Sequence, residues 1–261
     1  PAVLLILDVF PLRRILRGSD GRLVVDRAVW IEKLAFAVPA GAAGIAAILA
    51  QRASGALQPL DSYTPWMRLL QAPYALGFYL AKTLWPVGLV PFYGWPEDMT
   101  EMYVPTLVSA VVLITAAIAI WRSRRRFPAL AAAAAAYVVL VSPVLGIAQS
   151  GPQLVADRYT YLCVIPLTIL LGGGVTQLLT HAHRRTLGIA ACAAALAVTA
   201  LLAGMTRRQV LIRQDGLTLW AHHVALRPNC PVGHVNHGSA LFDEAASVED
   251  RNDPRRAELI E

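Results

Sequence analysis

Charge is what this sequence has least of. Only 15% of its 261 residues are charged, against 56% hydrophobic, and mean hydropathy is +0.52. An ordinary water-soluble domain carries about a quarter charged residues, so that class is excluded. Cysteine is scarce too. Cys163 and Cys192 lie in apolar runs and Cys230 stands apart, which excludes a disulfide framework and leaves thiols that behave as small buried hydrophobes. The histidines, including His181, His183, His222 and His223, lack nearby cysteine or carboxylate partners. No metal site is expected, and packed or solvated imidazoles account for them. A glycine-rich phosphate loop is missing, since Gly172, Gly173 and Gly174 fall inside an apolar run and read as close helix packing. No nucleophile–base arrangement stands out.

What is abundant is long hydrophobic runs. Residues 34–50, 104–121, 127–147, 161–180 and 186–205 approach or reach the ~17–25 apolar residues that a bilayer crossing requires. Residues 1–7 form a stub of a sixth. The chain begins inside that run without an initiator Met or a basic leader and stops at "RRAELIE", so it reads as a fragment of a longer protein. The expected fold is all-α: a polytopic transmembrane bundle over 1–205, followed by a helical region over 206–261.

Orientation follows from lysine and arginine, which are retained on the cytoplasmic side of short loops. Arg13, Arg14, Arg17, Arg22, Arg27 and Lys33 mark residues 9–33 as inside; "RSRRR" (122–126) and "HAHRR" (181–185) are inside as well. Residues 51–103, with only Arg52, Arg68 and Lys82, and residues 148–160, with only Arg158, are then outside. The net charge of +6 is explained by the inner loops and does not imply nucleic-acid binding. The scheme requires that 73–85, "PYALGFYLAKTLW", not cross. Pro73 opens the segment and Pro86 ends it, leaving about 20 Å of helix against a core of about 30 Å. Arg68, Gln71, Ala75, Tyr79 and Lys82 share one face, so an interfacial or re-entrant helix with a thin polar stripe is expected. A helix packed among the spans is the plainer reading. With five crossings, everything after 205 is outside, although Arg207, Arg208 and Arg213 run against that assignment.

After the last span apolar residues return at helical spacing. Leu219, Trp220, Val224 and Leu226 precede "RPNCP", and Val235, Ala240 and Leu241 follow, with Gly238 where a neighbour is expected to come close. A helix ending near Arg227 and a second one after Pro228 make an antiparallel pair. The stretch "LWAHHVALRPNCPVGHVNHGSALFDEA" resembles one tetratricopeptide (TPR) unit; a generic helical hairpin is the alternative.

Several stretches then match one pattern in one order: "LDVFPLRR" (7–14), "EKLAFAV" (32–38), "YLAKTLWPVGLVPFY" (79–93), "LGIAQSGPQLVADRYTYL" (145–162) and the TPR-like unit. Together they resemble the second half of the transmembrane and tetratricopeptide repeat-containing (TMTC) family. That resemblance implies a GT-C type glycosyltransferase. Such enzymes transfer a sugar, typically mannose, from a polyprenyl-phosphate lipid to protein Ser or Thr on the outer or luminal face. It also implies a catalytic carboxylate in a first external loop that precedes the matched motifs, so no catalytic residue is assigned. The alanines at 131–136 depart from the family's bulkier residues, with consequences for packing only.

A lipid phosphate at the membrane surface is best held by arginine, which binds it bidentately. Arg158, at the outer end of the span beginning near Tyr161, is the candidate. Tyr159 and Tyr161 suit the interface. Gln149 and Gln153 offer amides for sugar hydroxyls, Asp157 is placed to orient Arg158 or to contact the acceptor, and Lys82 is a second phosphate ligand or a snorkelling side chain. The plainer account pairs Asp157 with Arg158 to fix the loop and makes the tyrosines an aromatic belt. Arg13 and Arg14 anchor a helix end. No cofactor is expected beyond the lipid-linked sugar donor. The expected partners are lipid and an acceptor protein held by the repeats, and the composition points to a bacterial inner membrane with the repeats periplasmic. Two other functions fit the same features: an envelope oligosaccharide ligase or polymerase, and a non-enzymatic membrane anchor for a repeat scaffold.

Overall fold

The computed structural model describes residues 1–17, 23–25, 27–55, 64–96, 98–146, 152–180 and 185–247. The chain groups into two units, Pro1–Trp85 with Trp95–Gly173, and Pro86–Gly94 with Gly174–Glu261. The expected boundary at residue 205 falls inside one continuous helix, Arg185–Ile212.

The first unit opens with α1 (Ala2–Val9) and an antiparallel hairpin, β1 (Ile15–Arg17) and β2 (Leu23–Val25), in which Ile15 faces Val25 and Arg17 faces Leu23. Then come α2 (Arg27–Ala53), α3 (Pro65–Leu84), α4 (Thr100–Ser123) and α5 (Pro128–Val141), the last prolonged by a 3-10 turn to Val144. An extended piece, Gln153–Val155, leads through a second 3-10 turn, Asp157–Tyr159, into α6 (Thr160–Cys163) and α7 (Ile165–Thr180), whose part from Gly174 onward belongs to the second unit. The main packing is α3 along α4, where Gly77 lies so near Ser109 that a Cβ would overlap the hydroxyl. Helix α5 meets α1 and α6. The run of alanines serves that approach, with Ala133 and Ala136 buried beside Tyr137 and Val141.

Helices α2 and α4, of 27 and 24 residues, are long and apolar enough to cross a membrane. So is α8 (Arg185–Ile212) of the second unit. Their large apolar side chains point outward, among them Ile45, Leu49, Val108, Val112, Leu196 and Leu201. Water would not tolerate such surfaces over whole helices; lipid matches them, and the helix satisfies its own backbone there. The chain therefore has the build of a multi-pass membrane protein. The run at 161–180 is a bent pair, α6 and α7 meeting at 46°, while 127–147 yields a shorter apolar helix ending at Val144.

Helix α3 differs from the reading that started it at Pro73. Thr64 caps it by accepting the Met67 amide at 3.4 Å, Pro65 takes the first turn, and Pro73 sits inside. With 20 residues it is about 30 Å long, so length no longer bars it from crossing. Its composition, with Arg68, Gln71 and Lys82, leaves it outside the set of helices that are both long and apolar enough to span. The stripe also faces the other way. Gln71, Ala75 and Tyr79 are buried against the protein instead of lying at a water boundary.

In the second unit α8 is followed by α9 (Gly216–Leu226) and α10 (Pro231–Ser247), which pack on each other across a four-residue link. Asp215 starts α9 by accepting the Thr218 amide at 2.7 Å, and that bond holds its carboxyl below the usual range. Gly233, not Gly238, is where the two helices come close. A Cβ at Gly233 would overlap the His223 imidazole, whereas one at Gly238 would meet nothing within 4 Å. Glycines 172–174 likewise have open space beside them, and the tight approach falls at Gly188, where a Cβ would lie 2.8 Å from the Leu179 amide nitrogen.

His223 is fully buried, with Trp220 edge-on at 5.5 Å and no hydrogen-bond partner for either ring nitrogen among the described residues. Burial foremost, and then the charges of Arg227, His222 and His234, push its pKa down. The folded state thus binds the proton less readily than the unfolded chain. The contribution is intact above the unfolded value of about 6.5 and is lost as pH falls below it. Hydrogen exchange of the intact protein should show amides of 216–247 losing protection at pH 5.5 relative to pH 7.5, beyond the intrinsic rate change, and His223→Leu should abolish the difference. Equal protection at both pH values would refute the effect.

Candidate functional site

The segment 153–163 is fastened to α3. Gln71 Nε2 donates to the Leu154 carbonyl at 2.7 Å, a buried bond linking residues 83 apart in sequence. The Ala156 amide donates to the Tyr79 hydroxyl at 3.4 Å. Leu154, Val155 and Ala156 are buried, so these bonds satisfy backbone groups that would otherwise be orphaned. Burial raises the Tyr79 phenol well above its ordinary range, which keeps it protonated. Gly146, at φ +85, leaves room for the Gln71 amide: a Cβ there would overlap it.

From this base the chain turns through Asp157–Tyr159 and exposes Arg158. Its Nη2 donates to Gln153 Oε1 at 3.1 Å, while Gln153 Nε2 donates to the Tyr159 hydroxyl at 2.9 Å. The guanidinium lies 5.3 Å from the Tyr159 ring, and that ring meets Tyr79 edge-on at 6.5 Å. Gln153, Arg158 and Tyr159 therefore form a closed set built on Tyr79. Thr160 Oγ1 donates to the Asp157 carbonyl at 2.8 Å and Cys163 Sγ to the Tyr159 carbonyl at 3.1 Å, fixing the turn.

The candidates are not all together. Tyr161 points away and is largely exposed. Lys82, half-buried on α3, has its ammonium 5.7 Å from the Phe78 ring. Asp157 is half-buried at the start of the turn, and Arg158 takes Gln153 as its acceptor. Gln149 lies outside the described residues. The sequence marks Gln71 and Tyr79 only as part of a polar stripe, and their spacing of eight residues, about two helical turns, is its one signal. Among the described residues no group of histidines, cysteines and carboxylates is arranged to hold a metal.

No protein-family model, curated protein or solved structure matches this chain.

A second polar cluster was not anticipated. Asp8, buried within apolar α1, is 2.6 Å from Lys33 Nζ and 3.5 Å from Arg14 Nη1. Arg14 in turn grips Glu32 with two bonds of 2.7 and 2.8 Å. Arg14 thus does anchor a helix end, as its place in "DVFPLRR" implied, whereas Arg13 turns outward at φ 52.

Proposed function

We propose that this chain belongs to a GT-C type glycosyltransferase that takes a sugar, mannose by family resemblance, from a polyprenyl-phosphate donor and passes it to protein Ser or Thr. Arg158 holds the donor phosphate, Gln153 and Tyr159 orient the guanidinium, and the exposed Tyr161 serves the lipid–water boundary. Helices α9 and α10 are the first unit of a TPR array that captures the acceptor. The reaction face, with Arg158 and the repeats, is the outer one, periplasmic in a bacterial inner membrane. The observation that carries the reading is an exposed arginine with a fixed head, mounted on a buried amide-and-phenol base at the end of an apolar helix. Preorganisation of this kind lets a cation meet a phosphate without first losing its own freedom.

Arg158→Ala in the intact protein should lower kcat/KM for the lipid-linked sugar by about 10- to 150-fold, the worth of one hydrogen bond between charged partners. Membrane insertion should be unchanged, and Arg158→Lys should recover only part, because a point charge does not reproduce the fork. Turnover of the alanine variant at the unmodified rate removes Arg158 from the mechanism. Transfer to a glycan in place of protein hydroxyls would reassign the enzyme as an envelope ligase or polymerase.

A further inference from the structure

The last residues of α4 and the turn that links it to α5 read "WRSRRRF", residues 121–127. Four of these seven side chains are guanidiniums, and no carboxylate among the described residues pairs with Arg122, Arg125 or Arg126. Like charges this dense repel one another, and an anion drawn between them relieves the repulsion. The turn's place on the molecule selects the anion. Helix α4 is a membrane-length apolar helix ending at Ser123, and the apolar α5 begins at Pro128, so the arginines fall where hydrocarbon gives way to headgroups. They do so whichever side of the membrane that end faces.

The flanking rings agree. Trp121 is 66% and Phe127 51% exposed, a poor arrangement in water and a fitting one at the lipid–water boundary. Arg124 lies 3.7 Å over the Trp121 ring and donates to the Trp121 carbonyl, which closes the end of α4. Arg126 lies 5.4 Å from the Phe127 ring. A cation stacked as Arg126 is keeps its N–H edges available for acceptors, whereas Arg124 spends one on the helix end. Arg124 is thus structural, and Arg122, Arg125 and Arg126 are the ligands.

We propose that this turn is a binding surface for the phosphates of anionic phospholipid headgroups. It is separate from the donor site near Arg158, which follows the other end of α5, and does not depend on that assignment.

The test uses the full chain in nanodiscs of phosphatidylcholine with and without phosphatidylglycerol, counting retained lipid by native mass spectrometry at graded lipid content. Phosphatidylglycerol should be retained preferentially, and high salt should weaken its retention. One cation at a membrane surface is worth roughly fivefold in affinity, so R122Q/R125Q/R126Q should bind about a hundredfold more weakly. Arg124 is left in place so that the helix end survives, and R125Q alone gives the single-step loss if the triple variant does not insert. R207Q/R208Q removes two cations near the end of α8 that have no aromatic neighbour in sequence, and it should cost far less than the triple variant. Equal retention of both lipids, an unaltered affinity in R125Q and the triple variant, or an equal loss in R207Q/R208Q would overturn the assignment. So would inorganic phosphate displacing phosphatidylglycerol at comparable concentration, since the ligand would then be a water-borne anion.

Discussion

Lys33→Met is expected to destabilise the protein by about 3 kcal/mol, measured by denaturation in detergent, and Asp8→Leu in the same background should restore most of that loss. Asp8 is 1% exposed and Lys33 11%, at 2.6 Å. Removing one partner of such a pair leaves a buried charge uncompensated, which typically costs ~3–5 kcal/mol, whereas replacing both with apolar groups of similar size is often neutral or favourable. Arg14 is the reason for choosing the lower end. It stands 3.5 Å from Asp8 and retains some attraction, but both of its forward nitrogens are already committed to Glu32 and its side chain is 35% exposed, so solvent screens what remains. A double-mutant cycle reads the coupling directly. Additive losses, or a Lys33→Met variant within 1 kcal/mol of the starting protein, would mean that the pair does not hold α1 to α2.

That cluster also marks the limit of what the sequence discloses. The long apolar runs at 34–50, 104–121 and 186–205 announced α2, α4 and α8, because a bilayer crossing leaves a signal in consecutive residues. The helix pair after the membrane was legible from apolar spacing and from "RPNCP". The Asp8–Lys33 contact joins residues 25 apart through a hairpin, and nothing local in either neighbourhood points to the other. Helix α3 shows the same limit from another side. Gln71, Ala75 and Tyr79 were correctly placed on one face, but whether a polar stripe meets water or protein depends on residues some 80 positions away. Its start was missed because proline at 73 resembled a helix opening, and the Thr64–Pro65 cap that serves the purpose stands eight residues earlier. The choice of Gly238 over Gly233 failed for a related reason: helical phase gives a face, but which glycine on that face meets the neighbour depends on how far the second helix slides along the first.

The face of α3 matters most at Gly146, where alanine should cost about 3–5 kcal/mol. Two effects combine. At φ +85 a Cβ strains the backbone by ~1–2 kcal/mol, and the same Cβ overlaps the Gln71 amide. Gln71 is buried by α3's own packing and cannot simply swing aside without giving up the Leu154 carbonyl, a buried acceptor whose loss adds ~1–3 kcal/mol. Truncating the amide separates the two parts. In Gly146→Ala/Gln71→Ala the overlap is gone and only strain and the lost bond remain, so the double variant should be more stable than the sum of the singles by at least ~1 kcal/mol. The effect should also reach Arg158. Because Gln153 takes its position from the same segment that Gln71 holds, Gly146→Ala protein rescued into a folded state by added lipid should bind the donor more weakly while Arg207→Gln does not. A Gly146→Ala variant as stable as the parent would show that the loop yields easily, and a loop that yields cannot hold an arginine ready for a phosphate.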